Sequence, residues 1–362
     1  MIDEVRELTR SFTRDDAYPA SNVAKLVEAR IFAAPFAASL GGAAIALREA
    51  VEIVEAIAEA CPGTALLASM PLGLAGGLAG APDLAPPAHR RSALEQVEAI
   101  AGDYRAGKIY AACNSEKGAG GSLAATKTVA RRDASGAFAL TGEKILGSFG
   151  HHADVFFSTA KTTAEELPGC GVVEFFLVAT SAEGVHILDD WNGFGMRGTE
   201  SHTVRYQSAR PAAPLGFPGF IEGVHPLEYW FCLFAAIPLG CALSMLRSLG
   251  SPAPASAALR LRLAEAQMRY EAARAYLLDS ASRHRAGGDA AFRARVLRTK
   301  TFVSQEATRI CADLFALGGG RHYVRGGRLS GAMADVFAGT ALRPPLALAL
   351  DALVESFSLA DR

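Results

Sequence analysis

The sequence predicts an α+β fold built from three consecutive units: helical, then strand-rich, then helical. Residues 1–110 carry helical periodicity, residues 111–215 break into short β-type runs between turn residues, and residues 216–362 return to long amphipathic patterns. Blocks of helices, strands and helices differ from the strand–helix alternation of a doubly wound sheet, which is why α+β is the class indicated. A chain of 362 residues that is 50% hydrophobic can bury a large core.

In the first unit, EAVEIVEAIAEA sets Val51, Ile53, Val54, Ile57 and Ala58 near i, i+3, i+4 spacing. Gly41-Gly42 predicts a tight turn, and the Pro-rich APDLAPPAHRR (residues 81–91) a connector, since proline is excluded from helix interiors. The second unit holds KTVARR, FALTGEKI, DVFFSTAKT, VVEFFLVAT, VHILDD and HTVRYQS, several of them alternating apolar and polar residues. Ala134-Ser135-Gly136 predicts a hairpin turn, and the even spacing of the runs a small β-barrel or sandwich. In the third unit an apolar stripe of Leu259, Leu263, Met268, Ala272 and Leu277 predicts one long helix. Residues 291–317 predict another, ended by Gly318-Gly319-Gly320. The uncharged run Tyr229 to Leu246 is long enough for a membrane span. Pro238, Gly240 and the lack of a flanking basic cluster instead favour a helix buried on all sides, with no membrane span expected.

Lys+Arg 36 against Asp+Glu 37 leaves a net charge of -1, so no nucleic-acid partner is expected. Six cysteines without a CxxC spacing predict buried thiols in a reducing compartment and no metal site. The N-terminal MIDEVR lacks the pattern of a signal peptide, and a cytoplasmic location is expected.

Chemistry is concentrated in ACNSEKGAGGSLAATKT, residues 112–128. Its glycines allow close backbone approach to a ligand, and Asn114, Ser115 and Ser122 add donors and acceptors. Taken alone, this segment reads better as a flexible Gly-rich surface loop. Two further segments change the weighting: GEKILGSFGHHADVF (residues 142–156) and GMRGTESHTVRY (residues 195–206) follow in order. Together with SEKGAGGSLAATKT (residues 115–128) they resemble the acyl-CoA dehydrogenase superfamily, whose corresponding motifs read TEPGAGSDLAGIKT, GEKxWITNGxxADVF and GMRGTxSHxVxF.

The resemblance implies an N-terminal helical domain, a middle β-barrel and a C-terminal four-helix bundle, with FAD as cofactor. It also implies a homotetramer or homodimer, an acyl-CoA or related substrate, and an electron acceptor or flavin reductase as redox partner. By position it assigns Ser115 and Ser148 to the flavin ring, and Asn114, Gly120, Gly121 and Ser122 to the cofactor loop. Leu146 stands where the family has a flavin-covering Trp, and Gly319-Gly320 where a Gly-Gly turn reaches a neighbouring subunit's FAD, with Arg321 beside it. An Arg-x-x-Phe-Gly loop is not recognisable between Leu246 and Ala258.

The family's base is a Glu that removes the α-proton of a thioester, a proton too weakly acidic to leave without one. Ala338, in VFAGT, holds the usual position of that Glu and Trp230 the minority position. Glu228, or Asp335, could act from a shifted place, although two residues along a helix rotate a side chain by about 200°. Three readings follow. The first is FAD-dependent α,β-oxidation of an acyl-CoA thioester. The second is a two-component flavin monooxygenase, because Ser148, His152, Ala153 and Asp154 match a Ser-Gly-x-x-His-Ala-Asp segment of such enzymes, with Phe149 in place of the Gly. His152 would then move a proton beside the flavin. The third is a binding protein that kept the fold and lost the chemistry.

Overall fold

The computed structural model describes residues 1–14, 16–252, 254–324 and 326–355, without the side chain of Arg321. Six helices open the chain: α1 (Ile2–Thr9), α2 (Ala20–Glu28), α3 (Leu47–Ala60), α4 (Pro62–Ala79), α5 (Ala81–Leu84) and α6 (Arg90–Arg105). The α3 stripe is buried as its spacing predicts, with Val51, Ile53, Val54, Ile57 and Ala58 in the core. Proline begins α4 at its first position, where no amide hydrogen is needed. The Pro-rich connector holds one turn of helix, α5, before α6 begins at Arg90.

Six strands follow: β1 (Tyr110–Ala112), β2 (Val129–Arg132), β3 (Phe138–Gly147), β4 (Val155–Ala160), β5 (Glu174–Ile187) and β6 (His202–Pro214). They form one mixed sheet in the order β1-β4-β5-β6-β3-β2, with β1 and β4 parallel and the other pairs antiparallel. The sheet curls toward closure, because Val129 of β2 bridges Lys161 just beyond β4, and Ser115 bridges Ile145 of β3. Between β2 and β3, Asp133 accepts bonds from the Ser135 and Ala137 amides and fixes the predicted hairpin turn. VHILDD is not a separate strand. It begins as the far end of β5, which passes a register shift between Val178 and Glu183 instead of breaking.

The chain closes with α7 (Phe220–Val224), α8 (Leu227–Gly250), α9 (Ala257–Ser282), α10 (Ala290–Leu317), α11 (Arg328–Val336), α12 (Ala338–Ala341) and α13 (Leu346–Glu355). Three long helices therefore pack together, and the fourth layer is a chain of short ones interrupted by Pro344-Pro345. The stripe predicted for α9 is wrong in detail. Ala266, Tyr270, Ala273 and Leu277 are buried, whereas Met268 is 63% exposed. Small alanines let α9 approach its neighbours, and Tyr270 reaches across to donate to Glu55 of α3 at 2.6 Å. Helices α4 and α8 are long and apolar enough to cross a membrane, yet they are 94% and 83% buried within the fold.

Helix α8 lies so close to α3 that a Cβ on Gly240 would sit 2.4 Å from the Ala58 Cβ and 2.7 Å from the Glu59 amide nitrogen. Gly240→Ala is therefore expected to destabilise the protein by about 1–3 kcal/mol, because backbone cannot retreat as a side-chain tip can. Urea unfolding measures it, and an unchanged midpoint would contradict this close approach.

Candidate active site

Where the barrel meets α8 and the α11–α12 segment, a mostly apolar cavity of about 310 Å³ opens. Ser115 reaches it because its carbonyl accepts the Ile145 amide at 2.8 Å, tying the stretch after β1 to β3. Leu146 and Ser148 reach it from the end of β3, where a register shift between Lys144 and Gly147 puts Leu146 at φ 60. Asn114 also lines the cavity, and its Oδ1 accepts the Thr159 amide at 2.8 Å. Four sequence-predicted positions thus converge on one chamber.

Trp230 and Ala338 face the same chamber. The Trp230 indole rests on a glycine face of α4: a Cβ on Gly73 would lie 1.9 Å from its Nε1, while Gly76 makes room for Tyr229. Phe157 stacks on the indole with ring centroids 5.5 Å apart. At the two positions that the motif resemblance gives to a dehydrogenase base there is a methyl group and an indole. No carboxylate lines this cavity among the described residues.

Both shifted acids lie elsewhere. Glu228 is buried on another face of α8, with Arg293 as its charged neighbour. Burial pushes its carboxyl up to about 7, and its Oε2 has no hydrogen-bond partner. Leu227, Trp230, Phe231 and Phe234 form the face that lines the cavity, a helical stripe that leaves out residue 228. Asp335 accepts from the Met196 amide and from Arg14, each at 2.6 Å, and lines a larger neighbouring cleft. That cleft shares Phe194, Gly195, Met196 and Ala334 with the cavity. Arg197 lines the cleft as well, pairing with Asp16 at 3.0 Å and so pinning its loop to the N-terminal region.

His152 is also absent from the cavity wall. Its ring stacks on Tyr18 at 3.6 Å between centroids, and its Nε2 meets Glu200 at 3.1 Å. The preceding Phe149 is fully buried at φ 70, where a glycine would be unstrained, and it turns the His151-His152 pair outward. Gly120, Gly121 and Ser122 lie on the adjoining loop, outside the cavity wall, with the Pro345 ring against Gly121. Gly319 and Gly320 sit exposed after α10, again away from the cavity. The Arg321 side chain lies outside the described residues.

Three groups escaped the sequence reading. Ser201 lines the cavity and extends Ser148 into a hydroxyl chain: Ser148 to Ser201 at 2.9 Å, Ser201 to Thr199 at 2.7 Å, and Thr199 to the Met196 carbonyl at 2.8 Å. Each hydroxyl has one hydrogen, so the carbonyl at the far end fixes the direction. Ser148 donates to Ser201, leaving its own oxygen as an acceptor. Arg343 lines the cavity from the segment after α12. Below the wall lies the buried pair Lys144–Glu116 at 2.6 Å. Its residues stood inside the quoted motifs, but nothing in a string of letters tells a buried charge from a wet one.

Residues 111–209 match the family model for the acyl-CoA dehydrogenase middle domain, and residues 239–342 that for the acyl-CoA dehydrogenase C-terminal domain. The chain belongs to the acyl-CoA dehydrogenase superfamily. Among curated relatives, the probable acyl-CoA dehydrogenase YngJ of Bacillus subtilis (strain 168) is 23% identical over 350 residues, covering 89% of this chain and 88% of its own length. The chain resembles butyryl-CoA dehydrogenase from Megasphaera elsdenii with a TM-score of 0.80 at 18% identity, over 98% of this chain and 97% of that one. It resembles KijD3, solved with FMN and dTDP-3-amino-2,3,6-trideoxy-4-keto-3-methyl-D-glucose, with a TM-score of 0.80 at 21% identity, over 98% and 90%. This acyl-CoA dehydrogenase fold is thus shared by proteins of different chemistry, and the superfamily is one of flavin oxidoreductases.

Proposed function

We propose that the protein is a flavin-dependent monooxygenase that works with flavin reduced by a separate reductase. One observation carries this reading: Ala338 and Trp230 wall the cavity where a proton-abstracting carboxylate would be needed. Without that base, a thioester α-proton has no acceptor, whereas oxygenation of a small molecule at an electron-rich atom needs none.

The cavity suits the ring of a flavin. Its apolar walls accept the flat faces, and Ser115 and Ser148 supply polar contacts. When bound, the flavin supplies the redox chemistry. The protein's part is to hold the ring, exclude water and handle the hydrogen at the ring edge. Ser148 Oγ, held as an acceptor by Ser201 and Thr199, suits an N–H at that edge, which the reduced ring carries and the oxidised ring lacks.

A second reading, α,β-oxidation of an acyl-CoA thioester, is favoured by the family models and by the YngJ relative. Anaerobic addition of a panel of acyl-CoA thioesters to the flavin-loaded protein separates the two. The monooxygenase reading expects the visible flavin band to persist with every thioester. Bleaching by any of them would overturn it and send attention to a base carried into the cavity by a conformational change.

A further inference from the structure

We infer that Arg343 holds the phosphate of the bound flavin, an inference that rests on the flavin reading above. The segment carrying it is fixed from below. Lys300 of α10 is buried and donates to the carbonyls of Leu342 and Pro344, both at 2.7 Å, so the residues on either side of Arg343 are anchored to the bundle. The guanidinium is held on the side of the cavity and the glycine loop. It donates to the Gly121 carbonyl at 2.5 Å and, at 3.4 Å, to that of Asn114.

A guanidinium has five N–H donors, and two carbonyls do not neutralise its charge. No carboxylate pairs with Arg343 among the described residues. The nearest acid that acts on it, Glu116, is already engaged by Lys144, by the Thr128 hydroxyl and amide and by the Lys127 amide. Burial pulls the guanidinium down to about 10, which leaves it charged at neutral pH. A fixed, half-buried cation facing an apolar chamber calls for an anion. The adjoining loop leaves room for such a ligand: Gly118, Gly120 and Gly121 all have positive φ, and a Cβ at Gly120 would meet nothing within 4 Å, so the backbone is open to close approach. Cation and loop together suit a phosphate ester at the end of a ligand whose ring fills the cavity. A phosphorylated substrate shares that chemistry, so the test must separate it from the flavin.

Titrations of wild type, Arg343→Met and Arg343→Lys with FMN, FAD and riboflavin read the assignment directly. Wild type should prefer FMN to riboflavin by about tenfold or more, the scale of one charge-assisted phosphate contact. Arg343→Met should abolish that preference while riboflavin affinity stays within about twofold, and Arg343→Lys should restore part of it. If Arg343→Met does not fold, as judged by its thermal melt, the Lys variant carries the test through its reduced but surviving FMN preference. Equal wild-type affinity for FMN and riboflavin would overturn the inference and leave the flavin reading intact. With that result, stabilisation of wild type but not Arg343→Lys by inorganic pyrophosphate would assign the cation to a phosphorylated substrate. No binding of any flavin by wild type would overturn the flavin reading itself.

Discussion

Lys144→Met is expected to cost about 3–5 kcal/mol of stability, because it leaves the Glu116 carboxylate buried without its cation. Both side chains are almost wholly removed from water, 0% and 3% exposed, at 2.6 Å. The ammonium also donates to the Thr159 carbonyl and hydroxyl, so one side chain joins the stretch after β1, β3 and β4. Burial alone would raise the Glu116 carboxyl, but the Lys144 ammonium and the Thr128 hydroxyl and amide bring it below the usual carboxylate range. An acid depressed in the folded state stabilises above its unfolded value, near 4.5, and that contribution is lost as pH falls below it. The Lys144→Met deficit should therefore be full at pH 7 and shrink in acid. Urea unfolding at pH 7 and at pH 4 measures both, and Lys144→Met/Glu116→Leu should recover much of the loss. A deficit below about 1 kcal/mol at pH 7 would mean the pair is dispensable.

The motif positions that meet at the cavity share a property. Ser115, Leu146 and Ser148 lie on backbone held by strand pairing, so their order in the chain determines where they emerge. Trp230 and Ala338 also line the cavity, since helix starts set their register. The positions that lie off the cavity wall are set by direction. His152 is four residues from Ser148, yet a left-handed Phe149 turns it onto Tyr18. Glu228 is two residues from Trp230 and faces away by helical geometry. The α9 stripe failed because alanine, weak as a hydrophobic signal, makes close helix contacts that leucine and methionine cannot. Arg343 was invisible because its importance comes from partners distant in sequence, Asn114, Gly121 and Lys300.

Glu228→Gln should raise stability by about 1 kcal/mol or less at pH 5 and by about 3 kcal/mol at pH 8. Burial raises the carboxyl from 4.5 to about 7, against the weaker pull of its own amide and of Arg293. For an acid whose folded value lies above its unfolded one, the sign is fixed. Below pH 4.5 the group is protonated in both states and costs nothing. Between 4.5 and 7 the unfolded chain releases a proton that the folded protein keeps, so stability falls as pH rises. Above 7 the folded protein must bury the charge, and the cost is complete. A glutamine has no charge to bury, which removes the slope. The nearby groups do not mimic it: burial holds the Cys232 thiol up at about 12, and burial together with Arg293 keeps the His225 ring below its usual range. Unfolding free energies of both proteins from pH 5 to 8 make the comparison, and parallel curves would refute the buried carboxyl. The same variant decides a question of function. Because Glu228 lies outside the cavity, turnover should survive the change. A loss of about 10²-fold or more, the scale of a removed general base, would bring the carboxylate back into the chemistry.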